Sequence, residues 1–247
     1  MKTINRYLLL AMLAPLFFIS CKGDDGYSLG DIRRSIATIE NPENGSFFFL
    51  ILDNGDRIWA AATSNNQYKP KDGQRVIADY TVLSDGPSDG SYKYDVKLVS
   101  AYNILTKGIF DITSAAQDSI GYDPIKVEDI WIGSDYLNIE FVYAGYSGIH
   151  FINLVADDSK EYNDGKTHLE FRHNANGDPQ SHNMWGIASF DLRSLKTTGV
   201  ESLPLVIHVR ELSSSEEELY ELNYTFNDSS DTDKTFPLEE EITVDIF

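Results

Sequence analysis

From Tyr92 the chain alternates: Tyr92, Tyr94, Val96 and Leu98 share one side of a two-residue repeat, and Lys93, Asp95 and Lys97 share the other. Successive side chains of a β-strand point to opposite faces, so this pattern predicts a strand with one wet face. The run Phe47 to Leu52 is continuously apolar, breaks at Asp53-Asn54-Gly55-Asp56, and resumes at Arg57-Ile58-Trp59-Ala60. Asn-Gly tolerates the positive φ of a tight turn, which predicts a hairpin there. Before it, Ile32 to Glu40 reads as a first strand ended by Asn41-Pro42-Glu43-Asn44-Gly45. After it, the turn Lys71-Asp72-Gly73 leads into a strand alternating at Val76, Ala78, Tyr80 and Val82, and the glycine- and serine-rich stretch from Ser84 to Ser91 connects that strand to Tyr92. Five strands in about 75 residues, with no helical period, suit a five-stranded barrel of the OB type over residues 32–108.

A second group of strands follows. Leu137, Ile139, Phe141 and Tyr143 form one face, and Ala144 to Gly148 turn the chain into Ile149–Val155. Thr167–Phe171, Leu205–Val209 and Tyr220–Phe226 are further short alternating runs. Strands separated by turn clusters, without helical patterns between them, predict an antiparallel β-sandwich over residues 109–247, so the chain as a whole is all-β. No unit of 20–50 residues repeats, and the acidic stretches Ser213–Glu218 and Asn227–Lys234 read as exposed loops.

The first residues obey different rules. Lys2 and Arg6 precede an apolar stretch from Tyr7 to Ile19, interrupted by Pro15, which ends at Ser20-Cys21. This is the order of a secretory signal, and it is shorter than the roughly 20 apolar residues that a spanning helix needs. The sole cysteine, Cys21, stands where a lipoprotein signal peptidase would cut, between Ser20 and Cys21. Residues 1–20 are therefore read as a signal peptide, Cys21 as the lipid-attachment site, and 21–31 as a flexible tether. Acyl chains gain about 0.8 kcal/mol per buried methylene, so two or three hold a protein on a membrane without any other device. Lys22 followed by Asp24 and Asp25 resembles export tags for the outer membrane, which implies a lipid-anchored protein there, facing the cell surface or the periplasm. With Cys21 lipidated no disulfide can form, and the fold must rest on its apolar cores.

Composition narrows the partners. The chain has 39 acidic against 20 basic residues, and loss of Lys2 and Arg6 with the signal takes its net charge from −19 to −21. Such a surface repels phosphate, so nucleic acid is excluded as a partner. Gly145-Tyr146-Ser147-Gly148-Ile149 lacks the second glycine of a nucleophile elbow and sits among strands, which makes it a hairpin loop. The five histidines, at 150, 168, 173, 182 and 208, are not brought together by their spacing; His168 and His173 are an odd number apart, which on one strand means opposite faces. Only the stretch from His173 to His182 concentrates polar atoms, with His173, Asn176, Asp178 and His182 of the types that could grip a metal or polar ligand. It lacks an EF-hand's acidic alternation and reads as a tight loop, so no catalytic residue, metal or cofactor is assigned. The aromatic residues Trp59, Tyr80, Tyr92 and Tyr94 could stack on sugars, with core filling as the simpler role.

The segments Phe47–Gly55, Lys71–Val76, Asp129–Asn138 and Leu169–Asn174, together with the lipobox, resemble the NigD-like lipoproteins over nearly the whole mature chain. The resemblance implies an N-terminal OB domain and a C-terminal β-sandwich domain. The family name comes from a bacteriocin gene cluster, which implies a part in toxin immunity or export, and no catalytic residues are carried over with it. The resulting expectation is a non-enzymatic, lipid-anchored binding or interaction module of the envelope, with a protein or glycan partner. The alternatives are bacteriocin self-protection and an envelope hydrolase using carboxylates or the 173–182 loop.

Overall fold

The computed structural model describes residues 26–226 except 44, 113–119, 213 and 215, so Ser20, Cys21 and the first part of the tether, to residue 25, lie outside the described residues. The described chain is all-β. Five strands form a closed barrel: β1 (Ile32–Glu40), β2 (Phe49–Leu52), β3 (Arg57–Thr63), β4 (Arg75–Asp85) and β5 (Tyr94–Asn103), in the order β1-β2-β3-β5-β4. The β2–β3 hairpin turns where Asn-Gly predicts it, with Gly55 at φ 86°. Val76, Ala78, Tyr80 and Val82 all point into the barrel with Ala37, Ile39, Leu50, Ile58, Val96 and Leu98, so the two-residue period of β4 becomes the lining of the core.

The second unit is a rolled eight-stranded sheet made of β6 (Leu105–Asp111), β7 (Lys126–Gly133), β8 (Tyr136–Gly145), β9 (Phe151–Ala156), β10 (Thr167–Asn174), β11 (His182–Asp191), β12 (Ser202–Arg210) and β13 (Glu217–Thr225). Its order is β13-β12-β10-β9-β6-β11-β8-β7. Strand β6 makes this a sandwich: residues Leu105 to Gly108 pair with β11, and Ile109 to Asp111 pair with β9, so one strand passes from one layer to the other. The residue-108 boundary read from sequence falls at this changeover inside β6. Ile125 bridges Glu211 at the far side, which brings the sheet close to closure around Leu137, Phe141, Leu154, Phe171, Phe190 and Ile207. Three neighbouring pairs, β10 with β12, β6 with β9 and β6 with β11, are parallel. Parallel partners are joined by long crossovers instead of a tight turn, and the turn pattern of the sequence does not disclose them.

Barrel and sandwich share a third core. Ile36 and Ile77 on the outside of the barrel pack with Ile104, Trp131 and Ile187, flanked by Trp185. Beside it lies a buried polar knot. The Arg75 guanidinium, whose side chain has no exposed surface, donates to both Asp53 oxygens at 2.5 and 2.8 Å and to Asn138 Oδ1 at 3.0 Å. Asn138 Nδ2 donates back to Asp53 at 2.9 Å, and Ser189 Oγ donates to Asn138 Oδ1 at 2.6 Å. Arg75 also lies over the Tyr136 ring at 4.3 Å. Arg75 and Asp53 of the barrel are thus bonded to Asn138 of the sandwich, itself held by Ser189, where water cannot compete, which fixes the domains against each other.

Candidate functional site

The loop from His173 to His182 links β10 to β11. Asn176 (φ 51°) and Gly177 (φ 77°) make its left-handed turn, and the Asn176 side chain stays at the surface. Asp178 does something the sequence pattern does not reveal. Its carboxylate reaches across to the β8–β9 hairpin and accepts from the backbone N–H of Tyr146, from Ser147 at 3.3 Å and from Gly148 at 2.8 Å. The segment Gly145 to Ile149 is therefore a hairpin loop whose donors grip a carboxylate, and Gly148 has no side chain because a Cβ there would strike Asp178. Burial alone would raise the Asp178 carboxyl; the backbone N–H groups and His150 outweigh it and lower it from 3.8 to about 2.

Behind Asp178 stands a chain of two imidazoles. His150 Nε2 meets Asp178 at 3.2 Å, His150 Nδ1 meets His173 Nε2 at 2.7 Å, and His173 Nδ1 meets the Pro124 carbonyl at 3.2 Å. A carbonyl and a carboxylate can only accept, so both ends of this chain need an N–H, and the nitrogen–nitrogen contact needs a third. All four ring nitrogens of the pair are thereby committed to a partner. Burial is the main influence on His173 and pushes it below its ordinary value. Tyr143 packs against both rings at 4.5 and 5.5 Å.

The structure thus joins His173 and Asp178 through His150 and leaves Asn176 and His182 apart; His182 bonds its neighbour Ser181 at 2.9 Å and stacks on Tyr146. His150 is 23 positions from His173. Only the β9–β10 register, which sets His173 opposite Ile152, brings them together, and no local signal in the sequence could have found the pair.

A second chain of the same kind lies on the opposite face of β10. Leu169 and Phe171 point into the core, while His168, Glu170 and Arg172 point out, as the two-residue period requires. Asp164 meets His168 Nε2 at 3.0 Å, His168 Nδ1 meets His208 Nε2 at 2.8 Å, and His208 Nδ1 meets Glu217 at 3.0 Å. The other Glu217 oxygen accepts from the Tyr122 hydroxyl. This pair thus stands between two carboxylates. Burial would raise Glu217, but hydrogen bonds from Tyr122 and His208 hold it low. Tyr162 stacks flat on His168 at 3.7 Å, and Lys160 and Arg172 both bind Glu170. A shallow cavity of about 430 Å3 adjoins this face, lined by Asp157, Lys160, Tyr162, Lys166 and His168. Four of the five histidines are therefore paired, contrary to what their spacing suggests, because sheet register acts across 23 and 40 positions.

The aromatic candidates do not converge. Tyr80 is in the barrel core, Trp59 packs on Tyr92 at 5.9 Å outside it, and Tyr94 packs on Tyr27. Among the described residues no group of three or more histidine, cysteine, aspartate or glutamate side chains is arranged to hold a metal ion.

A closed OB barrel locked onto a β-sandwich through a shared core defines the class of protein. The model of the NigD-like N-terminal OB domain matches residues 36–104, and that of the NigD-like C-terminal beta sandwich domain matches residues 108–224. The chain belongs to the NigD-like family. It is 38% identical to a Parabacteroides distasonis protein named only as toxin related, covering 81% of this chain and 96% of that one with a TM-score of 0.70. A NigD-like immunity protein of Bacteroides caccae shares the fold at 20% identity, with coverage of 81% and 99% and a TM-score of 0.62. A Bacteroides fragilis protein that goes by the name of a lipoprotein shares it at 12% identity, 79% and 99% coverage and a TM-score of 0.54. No curated protein matches the sequence.

Proposed function

We propose that this protein is a lipid-anchored binding module of the cell envelope that engages a protein or glycan partner without catalysis. The observation that carries the reading is the use made of its ionisable groups. In both histidine chains every ring nitrogen is committed to a fixed partner inside the sheet. A general base needs a lone pair within reach of a substrate proton, and these nitrogens serve instead to tie loops together. The rigid joint between the domains supports the same reading, because a preorganised two-domain surface loses little entropy on binding. Anchoring through Cys21 at the outer membrane is supported by the signal-like N-terminus and by the name of the Bacteroides fragilis relative.

The test is crosslinking in intact cells followed by purification of the tagged wild-type chain and of Cys21→Ala. A partner enriched with the wild type and lost with the variant is the expected result; identical recoveries would overturn the reading. A second reading, self-protection against a toxin, is favoured by the names of two relatives. Deleting the gene should then sensitise the producer to its own toxin, and unchanged survival would dismiss it.

A further inference from the structure

The direction of the barrel strands gives its two ends different characters. β1, β3 and β5 run one way and β2 and β4 the other. The β1–β2 loop (41–48) and the β3–β4 loop (64–74) therefore share the end opposite to where the chain enters at Ile32. Between these loops lies a cavity of about 750 Å3, within the roughly 300–1,000 Å3 typical of small-ligand sites.

Its walls are held by one side chain. Asn41, 1% exposed, donates from Nδ2 to the carbonyls of Gly45 and Pro70, both at 3.2 Å, and its Oδ1 accepts from Gly45 N at 3.1 Å. Asp72 completes the staple by accepting from Asn41 N at 2.6 Å. The two loops are thereby bonded to each other through a buried amide, so the cavity is built into the fold. Its floor is the half-buried Tyr68 ring, which packs on the core residue Phe48 with the rings 6.1 Å apart and tilted by 56°. The Tyr68 hydroxyl is buried and makes no hydrogen bond among the described residues. A buried donor without a partner is unfavourable and uncommon in native proteins.

The rim is cationic in an acidic protein. Lys69 and Lys71 line the cavity with Asn66, Gln67, Ser46 and Thr63, and no carboxylate is among its lining residues. Among the described residues Lys69 and Lys71, like Lys97 and Lys107, are in no ion pair, whereas Lys93, Lys126, Lys160, Lys166 and Lys196 are. With 39 acidic residues against 20 basic ones, a cavity carrying two unpaired ammonium groups and no acid is set up for an anion.

We propose that this end of the barrel binds a carboxylated sugar unit of an acidic glycan. The aromatic floor suits the apolar face of a pyranose ring, the two lysines suit its carboxylate, and the amides and hydroxyls of the wall suit its hydroxyl groups. The half-buried Tyr68 ring presents that aromatic face, while its buried hydroxyl is out of a ligand's reach. A plain inorganic anion would leave the aromatic floor unused, and a neutral sugar would leave the lysines unused. The cavity lies at the end of the barrel opposite Ile32. This assigns a ligand class to the binding module proposed above and rests on that reading.

The test is calorimetric titration of the purified full chain in detergent with trigalacturonate, galactotriose and triglutamate. Saturable binding of trigalacturonate, weak binding of the other two, and weakening by added salt are expected. The double variant Lys69→Gln/Lys71→Gln should lose about tenfold or more in affinity, the worth of one charge-assisted contact. Tyr68→Leu, which removes the ring face, should bind more weakly, with its thermal melt as the check on folding, and Lys126→Gln should change nothing. Equal binding of galactotriose, tighter binding of triglutamate, no saturable binding, or affinities indifferent to the lysine and tyrosine changes would each overturn the proposal. If the crosslinked partner survives in the Lys69→Gln/Lys71→Gln chain, the module reading stands and only this site falls.

Discussion

Replacing Arg75 by methionine tests whether the polar knot between the domains holds them together. The change removes hydrogen bonds to both Asp53 oxygens, to Asn138 Oδ1 and to Thr38 Oγ1, and leaves the Asp53 carboxylate 5% exposed with Asn138 Nδ2 as its remaining side-chain donor. The methionine refills most of the volume, so the loss is chiefly that of a buried charge stripped of its partner, about 3–5 kcal/mol. For a body of about 200 residues this corresponds to roughly 6–20 °C in melting temperature. The control is Arg75→Met with Asp53→Asn, which removes the orphaned charge and keeps the shape, and should regain a substantial part of the loss. Urea unfolding followed by tryptophan fluorescence and circular dichroism is the assay, because Trp131 and Trp185 sit at the shared core and Trp59 sits on the barrel. In the wild type the signals should move together; in Arg75→Met the interface signal should move first. A loss below about 1 kcal/mol, the value of a surface pair, or a double variant no more stable than the single, would refute the reasoning.

Three further outcomes are expected. Asp178→Asn should lower the melting temperature at neutral pH. Because the folded carboxyl is lowered to about 2, its contribution is complete above its ordinary 3.8 and is lost as pH falls toward 2, so the wild-type and variant melting curves should converge over that interval, and parallel curves would refute the assignment. His173, held below its ordinary 6.5 mainly by burial, should cost the wild type stability as pH falls below 6.5; proton NMR should show its ring neutral in the folded protein at a pH where unfolded histidine is charged, and His173→Gln should flatten that part of the stability profile. Gly133→Ala should destabilise by about 1–3 kcal/mol, as overpacking does, because a Cβ there would land on the Asp53 carboxylate; a thermal melt indistinguishable from wild type would show that the β7–β8 turn can move aside.

What could be read from the sequence is what short-range geometry dictates. A two-residue period assigns faces, so Val76, Ala78, Tyr80 and Val82 are legible as one wall of a core, and His168 and His173, five apart, as residues on opposite faces of β10. Asn54-Gly55 is legible as a turn because positive φ is a property of single residues. The strands β6, β7 and β11 are not legible in this way. β7 mixes exposed and buried positions without a clean alternation, and β6 changes layers half-way, so its pattern belongs to two surfaces at once.

The site belonged to the tertiary structure. The Asp178 carboxylate has meaning only beside the backbone of Tyr146 to Gly148, more than 25 positions away. Both imidazole pairs depend on which strand lies next to β10, and one of those neighbours, β12, runs parallel to it and has no turn to announce it. Asn41 was legible as the end of a strand, but its buried amide bonds two loops whose approach is decided by barrel closure. A sequence specifies local conformation through steric rules that act within a few residues, whereas register and closure are settled by how all the apolar faces are buried at once.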